Sequence, residues 1–307
     1  MLRGLHAVAR VAVPAVAAGV LGCAEPAWDA ARLEQHHPEL TKLEGHRLAD
    51  VRPFYWPAGD RLTLLLCRWP DAARIPVVLP RDATPDRRRR LEAALTAWEE
   101  AGLGIRFERT AALAAGGIEI ELVPDMLAWS ANTEADCVVD PKGSGDRLPA
   151  RMAYASIQLA RDDPRLVGTA LHELGHALGF QGHPRRGTSI MGKDKNRLLH
   201  TGVRVLKGEG FEDATLAALY AVPSGTVLAR RTLPPGHTEP IDRLLAVAAR
   251  EGWRGPFLRA GDTEGLVSWR DGRGREVGVL LHGLSLALNE PSRLVLEPLP
   301  AARRALK

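Results

Sequence analysis

Three histidines and a glutamate within residues 172–191, HELGHALGFQGHPRRGTSIM, have the types and spacing of a one-metal site. His172 and His176 are four residues apart, so on a helix they lie one turn apart on the same face and both imidazoles can reach one ion. Glu173 stands beside the first of them, where a carboxylate can take a proton from a water at the same place. His183 follows after a turn and can supply a third nitrogen. Three neutral imidazoles with a fourth position left open suit Zn2+, and a carboxylate base beside them suits hydrolysis.

That chemistry needs a helix, a stop and a return of the chain. Asp163-Pro164 marks the expected helix start, with Asp as N-cap and Pro in the first turn. Val167, Leu171, Leu174 and Leu178 follow at helical spacing as a core-facing stripe, and the two histidines fall at its edge. Gly179 is the expected C′ residue, where the chain turns sharply and can bring His183 back.

With these residues the segment resembles the metzincin clan of zinc peptidases, in its matrixin-like branch, whose pattern is HExxHxxGxxH followed by a Met-turn. His172, Glu173, His176 and Gly179 match position for position. The pattern would put the third histidine at Gly182, whereas His183 comes one residue later. Leishmanolysin-like members of the clan carry a large insertion at this point, so a longer connection is compatible with it. Ser189-Ile190-Met191 looks like the Met-turn, and Met191 stands eight residues after His183, as in matrixins.

The resemblance implies a zinc-dependent endopeptidase acting on protein or peptide substrates. His172, His176 and His183 would be the ligands, Glu173 the general base and Met191 the hydrophobic floor. It also implies an α+β fold, a twisted mixed β-sheet with a backing helix and an active-site helix. A substrate would pair with the edge of the strand just before the motif. Some members use a tyrosine to support the oxyanion, for which Tyr154 and Tyr220 are candidates. Glu209 is the alternative third ligand, because Glu209 and Asp213 have the Glu-to-Asp spacing of thermolysin-like enzymes. Gly208 and Gly210 flank it, however, and make a poor helix. The competing class is a non-catalytic surface lipoprotein with a structural or degenerate metal site.

Composition bounds the rest. At 307 residues, with 45% hydrophobic and 25% charged, the chain suits one large or two modest globular domains. The net charge of +4 comes from scattered arginines and leaves no nucleic-acid footprint. The densest run, residues 87–90, falls in the first turns of a helix whose buried face is Leu91, Ala94, Leu95 and Trp98, so it is read as solvated.

Arg3 and Arg10 accompany an apolar run, residues 11–22, that is too short to span a bilayer and has the form of an export signal. Val20-Leu21-Gly22-Cys23 resembles a bacterial lipobox. That implies a signal peptide over 1–22, a lipid on Cys23 and membrane attachment through it, with Ala24 as an outer-membrane sorting residue. The alternative is an ordinary secretory peptide. Cys67 and Cys137 remain, and in an exported chain they can pair. Cys67 also faintly resembles the cysteine switch of matrixin propeptides, which would imply a thiolate capping the zinc.

Residues 23–50 suit a tether, 51–225 the catalytic domain, and 226–307 a small α+β appendage beyond a linker at Pro234-Pro235-Gly236. Strands are expected at 62–67, 75–79, 118–123 and 152–159, and helices at 84–101 and 211–222. A Gly/Asp/Asn-rich loop is expected over 129–149. Its Asp136, Asp140 and Asp146 could serve Ca2+, although they lack the alternating oxygen ligands of a strong calcium loop. The C-terminal region offers a helix near 241–251, strands at 266–269, 277–281 and 294–296, and two lone histidines, His237 and His282.

Overall fold

The alternation Ile-Glu-Ile-Glu-Leu-Val buries Ile118, Ile120 and Leu122 on one face of a strand and turns Glu119 and Glu121 to the other. This strand is the middle of a run of parallel strands in the computed structural model, which describes residues 52–124, 131–143, 147–184, 188–261, 264–287 and 290–306. Cys23, Asp146 and the proposed tether lie outside the described residues. In chain order the first elements are β1 (Phe54–Ala58), β2 (Arg61–Leu65), β3 (Arg74–Val78), α1 (Pro85–Glu100), β4 (Arg106–Arg109) and β5 (Gly117–Val123). Next come β6 (Ala131–Val139), β7 (Ala150–Ala160), α2 (Leu166–Ala177), α3 (Lys195–Leu206), α4 (Ala214–Tyr220) and β8 (Val227–Thr232). The chain ends with α5 (Glu239–Glu251), β9 (Arg254–Ala260), β10 (Glu264–Arg270), β11 (Glu276–His282), α6 (Leu284–Ala287), β12 (Val295–Pro298) and α7 (Pro300–Ala305).

The fold mixes α and β around a large mixed sheet, with strand order β12-β11-β10-β9-β6-β7-β5-β3-β4. β4, β3, β5 and β7 are mutually parallel, and from β6 outward to β12 every pairing is antiparallel. Ile75, Val77, Ile118, Ile120, Ala155, Ile157 and Leu159 form a continuous buried face of the parallel strands. α1 contributes Leu91, Ala94, Leu95, Ala97 and Trp98 to the core, and its arginines lie outward, with Arg87 paired to Asp162 and Arg89 and Arg90 to Asp86. A second, three-stranded antiparallel sheet has the order β1-β2-β8. No helix among the described residues is long and apolar enough to cross a membrane.

Several expectations are corrected. The loop expected over 129–149 contains the nine-residue strand β6. Its small and polar residues conceal the alternation, and hydrogen bonding to β7 on one side and β9 on the other makes it a strand. The helix that carries His172 and His176 begins at Leu166, because Asp163 is used in a preceding turn. Its carboxylate accepts the Arg165 N–H (2.9 Å) and the Thr169 hydroxyl (2.6 Å). α3 was not foreseen. It packs on α2 where Gly202 meets Gly168, and a glycine in mid-helix reads locally as a break.

The boundary at 225/226 does not separate two sheets. β8 pairs with β2 (Leu62↔Arg231, Leu64↔Ala229), and β9 pairs with β6 (Cys137↔Leu258). The C-terminal strands therefore extend the sheet that carries the histidine helix, rather than forming an appendage. Pro234-Pro235-Gly236 is a turn between β8 and α5, closed by the His237 N–H on the Pro234 carbonyl.

Candidate metal centre

α2 is buried along its whole length, so its backbone and its polar side chains all need partners. Side-chain donors hold it in place. Trp98 Nε1 donates to the Leu171 carbonyl (3.0 Å), Trp69 Nε1 to the Ala177 carbonyl (2.9 Å) and the Tyr220 hydroxyl to the Leu178 carbonyl (3.0 Å). Gln181 Nε2 and the Gly179 N–H both reach the His176 carbonyl, at 2.7 and 2.9 Å. Carbonyls that a helix end would leave unpaired are thereby satisfied. Gly179 turns the chain at φ +121°, and a Cβ there would stand 2.1 Å from the Cys67 carbonyl oxygen. Both the angle and the close approach require glycine.

Beyond that turn His183 returns to the helix. Nε2 of His172 lies 3.2 Å from Nε2 of His176 and 3.2 Å from Nε2 of His183, and the last two are 3.3 Å apart. His172 Nδ1 donates to the Ile190 carbonyl (2.8 Å) and His176 Nδ1 to the Phe180 carbonyl (2.7 Å). A carbonyl can only accept, so both Nδ1 atoms carry the proton and both Nε2 atoms present lone pairs. Three corners of a tetrahedron at a Zn–N bond length from its centre stand about 3.3 Å apart. The donor set thus fits one Zn2+. Among the described residues it is the one cluster of His, Cys, Asp or Glu that could hold a metal ion.

Burial lowers the basicity of all three histidines. His172 is shifted down chiefly by burial, with Lys193 adding to the effect, and His176 is held well below the ordinary imidazole value. His183 falls to about 3 through burial, assisted by His172, Arg52 and Lys193. Glu173 moves the other way, pushed up to about 7 by burial against the opposing hydrogen bond from Thr133. That bond runs from the Thr133 hydroxyl on β6 to the Glu173 carboxylate at 2.6 Å.

Met191 is fully buried beneath α2. A Cβ on Gly175, inside the HELGH run, would stand 2.2 Å from its Sδ, so the glycine leaves room for the methionine. Asp213 fixes the same turn. One of its carboxylate oxygens accepts the Ile190 N–H at 2.8 Å, and the other caps α4 through the Thr215 and Leu216 N–H groups, each at 3.0 Å. The Ile190 carbonyl is thereby aimed at His172. Glu209 is not among the clustered ligands. It lies beyond the end of α3, exposed and paired with Arg204 at 2.7 Å.

Other sequence candidates lie elsewhere. The Tyr154 hydroxyl donates to Glu119 and that of Tyr220 to Leu178, so both are committed away from the histidines. Cys67 and Cys137 form a disulfide, which leaves Cys67 no thiol to cap a metal. Of the calcium candidates, Asp136 is buried on β6 in an ion pair with Arg259 (2.8 Å), Asp140 accepts the Lys142 N–H in a turn, and Asp146 lies outside the described residues. Thr133 and Asp213 were missed as parts of the centre. Thr133 lies 40 residues before its partner and carries no local signal. Asp213 could have been found as the N-cap of an apolar helical run.

No family model matches the chain, and no curated protein matches it. Among solved structures it is similar to high choriolytic enzyme 1, a hatching enzyme zinc-protease from Oryzias latipes (medaka fish), at 23% identity and a TM-score of 0.25. That match covers 38% of this chain and 50% of the other, so the chain spans half the length of this neighbour. A likeness this slight says nothing of activity.

Two measurements test the centre. Gly179→Ala should lower stability by about 2–4 kcal/mol, since the added Cβ meets backbone at a disfavoured φ. An unchanged denaturation midpoint would contradict the close approach to Cys67. Three ordinary imidazoles, each about tenfold protonated at about pH 5.5, would cost a metal roughly a thousandfold in affinity. Burial keeps these three neutral, so competition titrations should show zinc affinity falling far less than that between about pH 7.5 and 5.5. A full thousandfold loss would mean that water reaches the centre freely.

Proposed function

We propose that this chain is a zinc-dependent endopeptidase of metzincin type, acting on protein or peptide substrates. The observation that carries the reading is the convergence of three imidazole Nε2 atoms beside a buried glutamate on the helix that carries two of them. Bound by His172, His176 and His183, Zn2+ would supply Lewis acidity toward water and a scissile carbonyl. Glu173 accepts the proton from the attacking water and hands it to the leaving amine. Burial raises the proton affinity of this carboxylate above its ordinary range, the direction needed by a base that must take and then return a proton. Thr133 orients the carboxylate and restrains the rise that burial imposes on it. A structural metal site has no use for such a base, which weighs against the non-catalytic alternative.

The substrate edge differs from the one expected. β7 is paired to β6 along its length and to β5 from Tyr154 to Ala160, so the stretch level with Thr133 and Glu173 has no free edge to offer. The outer side of β6, beside Thr133 and Glu173, is the better support for an extended peptide.

We extend the proposal to location: export from the cell and lipid anchoring through Cys23, to the bacterial outer membrane. The Cys67–Cys137 disulfide supports an oxidising compartment.

Purified protein should bind one zinc per chain and cleave members of a broad peptide panel. Glu173→Ala should keep the zinc and lose at least about a hundredfold in kcat/KM. His183→Ala should lose zinc, whereas Glu209→Ala should not. Equal inactivity of wild type and Glu173→Ala on every peptide would leave the non-catalytic reading standing. Mass spectrometry of the mature N-terminus should find acyl mass on Cys23, and an unmodified cysteine there would refute the anchor.

A further inference from the structure

β6 is paired with β7 along its whole length, from Ala131↔Leu159 to Val139↔Ala150. On its other side it is paired with β9 at Asp136, Cys137 and Val138, opposite Arg259, Leu258 and Phe257. Among the described residues no strand pairs with residues 131–135 on that side. Thr133, in the middle of this open stretch, is the residue bound to the Glu173 carboxylate. The opening is therefore level with the base, and β9 ends it three residues along, counting 133, 134 and 135.

β9 is not a strand that could peel back easily. Its other edge is paired with β10 from Phe257 to Ala260. Arg259 binds both oxygens of Asp136, at 2.8 and 3.2 Å, and reaches beyond the paired residues to Glu134 at 3.1 Å. Cys137, opposite Leu258, is tied by its disulfide to Cys67. A peptide competing for this line would have to break a strand pairing and a partly buried ion pair.

Direction follows from the pairing. Antiparallel strands are the more stable, and a peptide antiparallel to β6 runs in the same sense as β9 and in line with it. Its amino-terminal residues then lie toward Asp136, where β9 already sits. Resting on the peptidase reading above, we propose that β9 closes the amino-terminal end of the substrate groove, so that strand pairing ends about three residues before the scissile bond. Bonds near the amino terminus of a substrate, or in segments able to bend away after three residues, are then the preferred targets. The strand that does this belongs to the C-terminal region, which gives that region a part in specificity.

The test uses the full-length zinc-loaded protein and N-acetyl oligovaline hydroxamates of one to six residues. The hydroxamate engages the metal, and the peptide extends toward β9. Binding is measured by calorimetry. Affinity should rise about two- to fivefold per residue up to the third and change by less than about twofold from the fourth to the sixth. Hydrogen exchange with the six-residue probe should slow the amides of 131–135 and leave those of β9 unchanged. Affinity that keeps rising past the third residue, or faster exchange in β9 showing that it is displaced, would overturn this inference and leave the peptidase reading intact. Failure of every length to bind would overturn the zinc site and this inference with it.

Discussion

The structure is organised around three imidazole Nε2 atoms that converge within 3.3 Å of one another in a largely buried place. Each of the two helical histidines is locked in that pose by a carbonyl that accepts its Nδ1 proton, so neither can turn its donor inward to relieve the repulsion. Burial acts on acids and bases with opposite sign. It keeps the histidines neutral and pushes Glu173 toward its neutral form. Near neutral pH the centre thus carries three unprotonated bases and at most one negative charge. A divalent cation is the species that offsets both the lone-pair crowding and that carboxylate, and the fold commits much of its core to keeping the arrangement in place.

That commitment can be traced as a closed circuit of contacts. Asp213 holds the Ile190 N–H, and the Ile190 carbonyl holds His172. Met191, next in the chain, fills the space that Gly175 leaves under the helix. At the helix end Gly179 lies against the Cys67 carbonyl, and Cys67 is joined by its disulfide to Cys137 on β6. The same strand carries Thr133 to the Glu173 carboxylate. The disulfide therefore does more than close a 70-residue loop. It ties the backbone under the end of the histidine helix to the strand that orients the base. A shift at any point of the circuit would be felt at the nitrogens, because packed interiors transmit displacement rather than absorb it.

The parts of this centre legible in the sequence are those whose geometry is local. Two histidines one helical turn apart, a glycine at the turn and a methionine in the next turn can be read because the chain between them is short. Even the added residue before His183 is absorbed in the turn after Gly179, and its Nε2 still meets the other two. What could not be read depends on distant partners. β6 has no hydrophobic alternation of its own and exists because β7 and β9 flank it. The pairings of β8 with β2 and β9 with β6 join residues that are far apart in sequence, and a Pro-Pro-Gly turn between β8 and α5 looks like a domain linker. The start of α2 was misread for another reason: Asp163 has the chemistry of a cap but spends its carboxylate on Thr169 and on the turn before the helix.

An open strand edge is a hazard, because unpaired N–H and C=O groups recruit other strands, and proteins blunt such edges by keeping them short, charged or covered. Both ends of the large sheet follow that rule. β4 is four residues long and reads Arg-Phe-Glu-Arg, and β12 is four residues long and ends Glu-Pro. The exception lies in the middle of the sheet, where β6 is fully paired on one side and only partly paired on the other. Among the described residues no strand covers this stretch of edge, which lies next to the buried Glu173 carboxylate. Its length and position are those of a slot for a short extended chain. The C-terminal strands protect the rest of that edge from chance pairing, so on the proposed reading the element that completes the sheet also sets how much of it a substrate can use.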